Sequence, residues 1–506
     1  MKRPVLAMML LISIVKVYGF QSPVMEKSKK QTVSAANELI QFVKIANDAN
    51  NPEDIDKNID WLTEAFTKRG FDTKVLPTAK TPLFFAEKKA KGALSTLLFY
   101  MHFDGQSVDP SKWDQGDPYI AEIKEKKSGE WQTIAKKLEA NYDPEWRIFG
   151  RSTSDDKGPI VMLLNAIDIM QSEKMDLGYN IKVVLDGEEE KGSSHLAAAV
   201  EQYKEILSAD HFIINDGPMH LSGKPTVIFG CRGNTGLVLT VYGPRTHQHS
   251  GHYGNYAPNP VFRLSQLLAS MKDEEGRVII PGYYDGITLD QKTREVLNSV
   301  PDNIEQIHSI IGIAEPEKVG NTYQESLQYP SLNVRGMAAA WVGPETRTIV
   351  PESATASIDI RLVPESDPDR LKGLVISHIE KQGYYIIDRE PTDEERMSHP
   401  KIIKITSGGA TSPFRTDLDS PTGKIITSSI EKGFGESPVK IRIMGGTVPT
   451  ADFINTLNVP ALIVPLVNAD NNQHSPNENL RVGNITTGIA TFISILTDSK
   501  QKIKKR

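Results

Sequence analysis

Two adjacent acidic residues, Asp155 and Asp156, stand directly before a long apolar segment of the chain. That segment starts with Gly158-Pro159 and is mostly apolar as far as Met170. Proline is tolerated in the first turn of a helix, and an apolar run of this length indicates a buried helix. Adjacent carboxylates held beside a core helix are costly unless a positive charge lies between them. The pair therefore predicts a rigid anionic loop, for which a metal ion is the economical counter-charge.

Polar clusters follow several apolar segments elsewhere in the chain, each a few residues after the end of a predicted strand. They are His102 with Asp104, the run Glu188-Glu189-Glu190, Asp216, and His474. In open α/β sheets, sites form at the carboxyl ends of the strands. Clusters that are distant in the chain can therefore converge at one edge of a sheet.

The residue types in these clusters favour a metal site. Two histidines with several carboxylates make a nitrogen and oxygen donor set, which favours zinc and also suits manganese or cobalt. One carboxylate that bridges two ions, with a histidine and an acid on each, is a sound two-metal arrangement. Each cluster alone has a simpler interpretation: His102 as a core histidine, the glutamate run as a solvated turn, and Asp216 as a turn residue. Their recurrence in order makes the metal site the better hypothesis.

Composition limits the class of protein. The chain has 506 residues, which is long for one ordinary domain, so we expect two. The formal net charge of −6 argues against a nucleic-acid partner, which would favour a basic patch. Cys231 is the only cysteine, which excludes an internal disulfide and a cysteine-based zinc site.

The first residues have the pattern of a secretory signal. Lys2 and Arg3 precede an apolar core over residues 5–15, and Val17-Tyr18-Gly19 ends at a suitable cleavage site. The apolar core is shorter than the roughly 20 residues that span a bilayer. We therefore predict that residues 1–19 are a cleaved signal peptide. The protein is then exported, to a periplasm or outside the cell, without a stable membrane anchor.

The order of predicted elements indicates an insertion. Strands and helices alternate after Gly236 in a pattern typical of a small α+β domain. We predict a catalytic domain made of residues 20–232 and 411–506, with residues 233–410 inserted between its two parts. The polar stretch 109–147, which contains several tryptophans, is predicted to be a surface excursion with a helix near residues 133–140.

The ordered motifs resemble those of the M20 metallopeptidases, especially the branch of carnosine dipeptidase and glutamate carboxypeptidase. The motifs are His102-Phe103-Asp104, Gly150-Arg151 followed by Asp155-Asp156-Lys157-Gly158, Glu189-Glu190-Lys191-Gly192-Ser193, Asp216, and His474-Ser475. The resemblance covers nearly all of the chain after the signal. It implies an α/β fold: a mixed-sheet, di-metal aminopeptidase-like catalytic domain with an inserted, smaller α+β (ferredoxin-like) lid and dimerisation domain.

The same resemblance implies roles for the polar residues at the metal site. Asp155 would bridge two divalent ions and be joined to Asp156 by a cis peptide bond. The remaining ligands would be His102 and Asp216 on one ion, and Glu190 and His474 on the other. Glu189 would be the general base, and Asp104 would orient the His102 ring.

The resemblance also implies substrate contacts, both in the inserted domain and in the glycine loop at residues 445–447. His249 would reach the active site of a neighbouring subunit and steady the oxyanion, which implies a homodimer. The implied substrate-binding residues are Thr348, Arg361, Gly445, Gly446 and Thr447. The Arg361 guanidinium would bind a free carboxylate of the substrate through two parallel hydrogen bonds. The chain departs from the family pattern at Ser152, where glycine is usual, and at Gly105-Gln106-Ser107, where Val-Gln-Pro is usual.

Three functions follow from these expectations. The first is di-metal-dependent hydrolysis of dipeptides, or of the C-terminal bond of small peptides, with the metal-held water activated by Glu189. The second is hydrolysis of an N-acyl amino acid, whose carboxylate Arg361 would read equally well. The third is a catalytically silent binding protein of the same fold, against which the intact Glu189 and the full ligand set count.

Overall fold

The computed structural model describes residues 22–134 and 138–497. The predicted signal peptide, residues 1–19, lies outside the described residues and stays a prediction. Within the described part of the chain, no helix combines the length and the apolar character that crossing a membrane requires.

A mixed eight-stranded sheet forms the centre of the larger unit. Its strands, in spatial order, are Asp72–Leu76, Leu83–Lys88, Asn180–Asp186, Thr96–His102, His211–Ile214, Ala461–Ile463, Thr226–Ile228 and Val439–Ile441. The four strands from Asn180–Asp186 to Ala461–Ile463 run parallel to one another, whereas the strands that flank this group pair with it antiparallel. Their carboxyl ends therefore meet at one edge of the sheet, as the sequence predicted.

Helices cover both faces of this sheet, which confirms the mixed α/β class. One face packs against the helices Pro23–Val43, Pro52–Thr67, Lys157–Ser172, Pro421–Phe434 and Val482–Thr497. The other face packs against Leu196–Gln202, Lys204–Leu207 and Ala451–Leu457. Each fully buried aliphatic side chain in such a core contributes about 1.5–3 kcal/mol relative to exposure.

The helix Lys157–Ser172 anchors the acidic loop that precedes it. Its residues are buried on every side from Lys157 to Ile167, as expected of a helix that is apolar all round. Gly158 is required at its start, because a Cβ atom there would lie 2.3 Å from the Thr153 carbonyl oxygen. This close approach fixes the loop against the first turn of the helix.

A separate five-stranded sheet lies within residues 233–407. Its strands, in spatial order, are Ser331–Ala338, Ser353–Leu362, Gly233–Tyr242, Ile402–Ser407 and Tyr385–Ile387. The helices Pro260–Ala269 and Pro368–Lys381 pack on one face, which receives every second residue of the two central strands. The alternation along Ser353–Leu362 is that of a sheet with one face buried.

The remaining elements of this region are short. They are the helices Ser250–Tyr253, Gln291–Ser299, Ile304–Ile311, Tyr323–Ser326 and Asp393–Ser398, the 3₁₀ turn Gly343–Glu345, the paired strands Gln248–His249 and Ile349–Val350, and the paired strands Gly230–Cys231 and Phe414–Arg415. The domain boundaries 20–232, 233–410 and 411–506 stay predictions.

The stretch 109–147 differs from its prediction. After the 3₁₀ turn Pro110–Lys112, its strands Glu122–Lys127, Glu130–Thr133 and Arg147–Phe149 form a four-stranded sheet with Asn479–Arg481. The helix predicted near 133–140 is wrong where this stretch is described: Thr133 ends a strand, residues 138–140 are not helical, and residues 135–137 lie outside the described residues. Ser128-Gly129, both with positive φ, close a tight hairpin there, so strand pairing prevails over helical propensity.

Candidate metal centre

The carboxyl edge of the large sheet carries the polar clusters. His102 is the last residue of the strand Thr96–His102, and Asp216 follows the strand His211–Ile214. The strand Asn180–Asp186 leads into the 3₁₀ turn Glu189–Lys191. Since these strands are parallel neighbours, the side chains that follow them converge.

The structure brings the five predicted ligands together in two groups that share Asp155. One group is His102, Asp155 and Asp216, and the other is Asp155, Glu190 and His474. Within each group, the candidate ligand atoms lie within 4.8 Å of one another. The His102 Nε2 atom is 2.8 Å from Asp155 Oδ1, and the His474 Nε2 atom is 3.1 Å from Asp155 Oδ2. Each imidazole therefore faces a different oxygen of the same carboxylate.

The charges of this cluster fit a divalent cation. Burial, together with the neighbouring Asp155 carboxylate, raises the pKa of Asp216 to about 6 and the pKa of Glu190 to about 7. The Asp155 Oδ2 and Glu190 Oε1 atoms are buried without a hydrogen bond; the His474 approach to Oδ2 is an ion-pair contact rather than an aligned hydrogen bond. Mixed imidazole and carboxylate donors suit zinc and similar divalent ions. The residues present therefore fit a divalent metal ion.

The His474 side chain contributes positive charge to this cluster of carboxylates. Its contact with Asp155, and the nearby Glu190 carboxylate, raise its pKa to about 9 although burial opposes the shift. The His474 Nε2 atom lies 3.2 Å from Glu190 Oε2. In the absence of a metal, a proton on this ring supplies positive charge to the same carboxylates.

The loop that carries Asp155 is held by Glu478, a residue that the sequence interpretation missed. Its Oε1 atom accepts hydrogen bonds from the Ser154 and Asp155 N–H groups, both at 3.0 Å, and from the Ser154 hydroxyl at 2.9 Å. Its Oε2 atom accepts from the Ser152 N–H at 3.0 Å and from Arg151 Nη1 at 2.7 Å. An acid close after His474, with an arginine in the Asp155 loop to pair with it, was the available signal.

Asp156 belongs to neither ligand group. Its Oδ2 atom accepts a hydrogen bond from the His102 N–H at 3.2 Å, and the peptide bond between Asp155 and Asp156 is cis. Burial raises the pKa of Asp156 well above its usual range, and the charges of Asp216 and Asp155 add to this although His102 opposes it.

Asp104 connects a histidine ligand to the glutamate turn. The His102 Nδ1 atom lies 3.3 Å from Asp104 Oδ1 and 3.2 Å from the Asp104 carbonyl oxygen. The two carboxylate oxygens of Asp104 accept the N–H groups of Glu189 and Glu190, each at 3.1 Å. A buried carboxylate in this position fixes the ring orientation of a ligating histidine. One side chain therefore sets the positions of His102 and the glutamate turn together.

Glu189 has the environment of a proton carrier. It belongs to neither ligand group, yet it starts the turn that places Glu190 in one of them. Burial raises the pKa of Glu189 well above its usual range, and the charges of Asp216 and Asp155 add to this although His102 opposes it. A carboxyl group with a raised pKa holds a proton more readily, so it can accept a proton and then return it. Gln106, the residue that Gly105-Gln106-Ser107 shares with the usual Val-Gln-Pro, donates to Glu190 Oε2 at 2.8 Å.

The predicted substrate residues fall into two places. The Arg361 Nη1 atom donates to the Thr447 hydroxyl at 3.0 Å, so the five-stranded sheet meets the loop that holds Gly445 and Gly446. His249 and Thr348 lie instead beside the short ladder Gln248–His249 with Ile349–Val350, where His249 is exposed. Across residues 22–134 and 138–497, no hydrogen bond or ion pair joins His249 to a metal ligand; its Nδ1 atom accepts from the Gly251 N–H.

The sequence and fold are shared with known peptidases. The profile of peptidase family M20/M25/M40 matches residues 98–498. The human Beta-Ala-His dipeptidase is 26% identical over 428 residues, covering 83% of this chain and 78% of the relative. The Schizosaccharomyces pombe Cys-Gly metallodipeptidase dug1 is 25% identical over 490 residues, covering 93% and 95%. The M20 family metallo-carboxypeptidase Sso-CP2 from Sulfolobus solfataricus superposes with a TM-score of 0.72 at 27% identity, covering 92% of this chain and 98% of that one.

The family match spans most of the chain and includes every residue of the two ligand groups. It also includes the turn with Glu189 and the contact between Arg361 and Thr447. The chain therefore belongs to peptidase family M20/M25/M40 and is a metal-dependent peptide hydrolase.

Proposed function

We propose that the protein hydrolyses dipeptides, or the C-terminal bond of small peptides, with two divalent ions, zinc before manganese or cobalt. The observation that carries this proposal is the position of Asp155 in both ligand groups, with a histidine and a second acid in each. The dipeptide class is supported by the relatives, which are named as a Beta-Ala-His dipeptidase and a Cys-Gly metallodipeptidase.

The side chains divide the chemistry between them. Divalent ions held by the two groups would polarise the scissile carbonyl and lower the pKa of water. Glu189 removes a proton from the attacking water and delivers it to the leaving amine. Asp104 holds the His102 ring and the Glu189 turn in position, and Glu478 holds the Asp155 loop in position. Arg361, steadied by Thr447, binds the free carboxylate of the substrate.

The substrate class is tested with the purified chain reconstituted separately with zinc, manganese and cobalt. Dipeptides, longer peptides and N-acyl amino acids are compared by amine release at matched concentrations. We expect dipeptides to be hydrolysed fastest. Faster release from N-acyl amino acids would replace the dipeptidase proposal with a deacylase.

The role of Glu189 is tested by Glu189→Gln. This variant keeps the size of the side chain but cannot accept the proton, so turnover should fall by about 10²–10⁴-fold. Metal content, measured by elemental analysis, should stay normal because Glu189 belongs to neither ligand group. Normal turnover in this variant would end the general-base assignment.

We further propose a homodimer in which His249 of the partner subunit completes each active site. His249 is exposed, belongs to the inserted segment, and makes no hydrogen bond or ion pair with a candidate metal ligand among the described residues. The edge strand Ser331–Ala338 exposes Val334 and Met337 by 39% and 47%. An exposed apolar edge strand favours pairing with another chain.

Mixing two inactive variants tests this assembly. His249→Ala should lose about 10²–10³-fold in kcat, as expected when an oxyanion donor is removed. A mixed dimer of His249→Ala and Glu189→Gln chains would contain one site with both residues intact and should recover part of the activity. A monomer in solution, or no recovery after demonstrated subunit exchange, would rule out completion in trans.

Export is a further proposal, supported by the charge and apolar pattern of residues 1–19. N-terminal sequencing of the protein recovered from its native cell tests it. A mature chain that begins near residue 20, in an extracytoplasmic fraction, is expected. A chain that keeps its first residues in the cytosol contradicts it.

A further inference from the structure

Arg232 lies at the junction between the two sheets, and its charge has no carboxylate partner. The residue is only 7% exposed. Its Nη2 atom donates to the Tyr329 carbonyl oxygen at 2.6 Å, while its Nε–H group is buried without an acceptor. In the described part of the chain, no Asp or Glu oxygen lies within 4.0 Å of its guanidinium. A buried, unpaired guanidinium is costly, so an anion is expected beside it when the protein works.

The like charge of Arg361 increases the free-energy cost of burying the Arg232 guanidinium. Burial, and the like charge of Arg361, lower the pKa of Arg232 to about 10, so it remains protonated near neutral pH. The acid that is available, Asp359, contacts Arg361 instead, with its Oδ2 atom 3.3 Å from Arg361 Nε. The two guanidinium groups therefore carry more positive charge than Asp359 balances.

Both arginines border the loop of the proposed substrate site. Arg361 pairs across the sheet with Asn234, two residues after Arg232. Arg361 donates to the Thr447 hydroxyl at 3.0 Å, and that hydroxyl donates to the Arg232 carbonyl oxygen at 2.7 Å. The Arg232 N–H donates to the Gly446 carbonyl oxygen at 3.1 Å. Arg232 is thus fixed on the same loop that Arg361 contacts.

We propose that Arg232 is a second carboxylate-binding residue of the substrate site, acting beside Arg361 on the C-terminal residue of the peptide. This inference rests on the proposed function, in which Arg361 binds that end of the substrate. The carboxylate has two sources: the α-carboxylate, shared between both guanidinium groups, or the side chain of a C-terminal aspartate or glutamate. Arg232 is more buried than Arg361, so the group that reaches it extends deeper into the site.

The test compares four substrates in the zinc-loaded enzyme: Ala-Ala, Ala-Ala amide, Ala-Glu and Ala-Gln. Arg232→Met removes the charge. Arg232→Lys keeps a charge and a donor for the Tyr329 carbonyl but loses the planar fork, which keeps the test informative if the methionine variant does not fold. Arg389→Met is the matched control, because Arg389 follows the strand Tyr385–Ile387 at the opposite edge of the same sheet, is 56% exposed and pairs with Glu395.

Loss of a charge-assisted contact should raise KM by about 10–100-fold for the substrate that uses it. If the α-carboxylate is bound, the preference of the wild type for Ala-Ala over its amide collapses in both Arg232 variants. If the side chain is bound, the preference for Ala-Glu over Ala-Gln collapses instead. Calorimetry with free L-glutamate and L-glutamine gives the same comparison without turnover. The Arg389 control should keep both preferences.

Equal loss on all four substrates, or a change in thermal stability alone, would show that Arg232 only supports the junction and would overturn the inference. Failure of the proposed function is distinct, because the wild type would then hydrolyse none of the four substrates.

Discussion

Replacing Glu478 by glutamine tests how the loop that carries Asp155 is held. The carboxylate is fully buried and accepts five hydrogen bonds, three from loop N–H groups, one from the Ser154 hydroxyl and one from Arg151. Burial raises the pKa of Glu478, and Arg151 and the loop N–H groups oppose this. Since all five contacts are donors, an amide NH₂ cannot replace either oxygen without facing another donor.

The loss of stability in Glu478→Gln follows from the hydrogen bonds that each carboxylate oxygen accepts. In its better orientation, the glutamine carbonyl takes the place of Oε1 and keeps the bonds from Ser154 and Asp155. The amide NH₂ then faces the Ser152 N–H and Arg151 Nη1, so both of these bonds are lost. The Arg151 side chain is 3% exposed and keeps its charge without a partner. Breaking a buried ion pair in this way costs about 3–5 kcal/mol.

The assay is chemical unfolding of the metal-free protein, together with zinc affinity measured by competition with a chelator. Glu478→Gln should lower the free energy of unfolding by about 3–5 kcal/mol. Zinc affinity should fall by about 10–100-fold, as is typical when a group that supports a ligand is altered. Glu173→Gln serves as the control, because Glu173 pairs with Lys27 on the surface and should change stability by less than about 0.5 kcal/mol.

An unfolding free energy within about 0.5 kcal/mol of the wild type would refute this account of the loop. Unchanged zinc affinity in a destabilised variant would show that Glu478 supports the fold without positioning Asp155. The double variant Arg151→Met with Glu478→Met adds a check, since removing both partners should cost less than the sum of the two single changes.

Three further predictions concern Asp104 and His474. Asp104→Asn places an NH₂ group against the N–H groups of the glutamate turn or against His102. Zinc affinity should therefore fall by about 10–100-fold, and turnover should fall with it. Unchanged zinc affinity would show that Asp104 does not position these residues. The pKa of His474 is raised to about 9 from the ordinary 6.5. The proton on the His474 ring therefore stabilises the metal-free protein fully below about pH 6.5, and this stabilisation is lost as the pH rises toward 9. Zinc must displace that proton, so its affinity should rise between pH 7 and about 9, with proton release detectable by calorimetry in two buffers; uptake without proton release would contradict the shift.

The local pattern of the chain was enough to predict the large sheet and the place of the site. Each parallel strand is an apolar run that ends just before a polar residue, and the edge of an α/β sheet brings such residues together. The clusters that hold the five candidate ligands could therefore be located from their order along the chain, and the resemblance to the M20 metallopeptidases indicated which residue in each cluster would bind a metal. The start of the buried helix at Lys157–Ser172 was likewise readable from Gly158-Pro159 and the apolar run after it.

Contacts between distant segments decided what the sequence did not show. The strand Arg147–Phe149 pairs with Asn479–Arg481, far along the chain, and this pairing turned a predicted surface excursion into a sheet. The hydrogen-bond donors to Glu478 lie in the loop at 151–155, which is distant in the chain. The unpaired state of the Arg232 Nε–H group likewise becomes evident only when the residues around it are placed in three dimensions. Apolar periodicity reports which face of an element is buried. It does not report which donor meets which acceptor, because that depends on the packing of elements that the chain order leaves far apart.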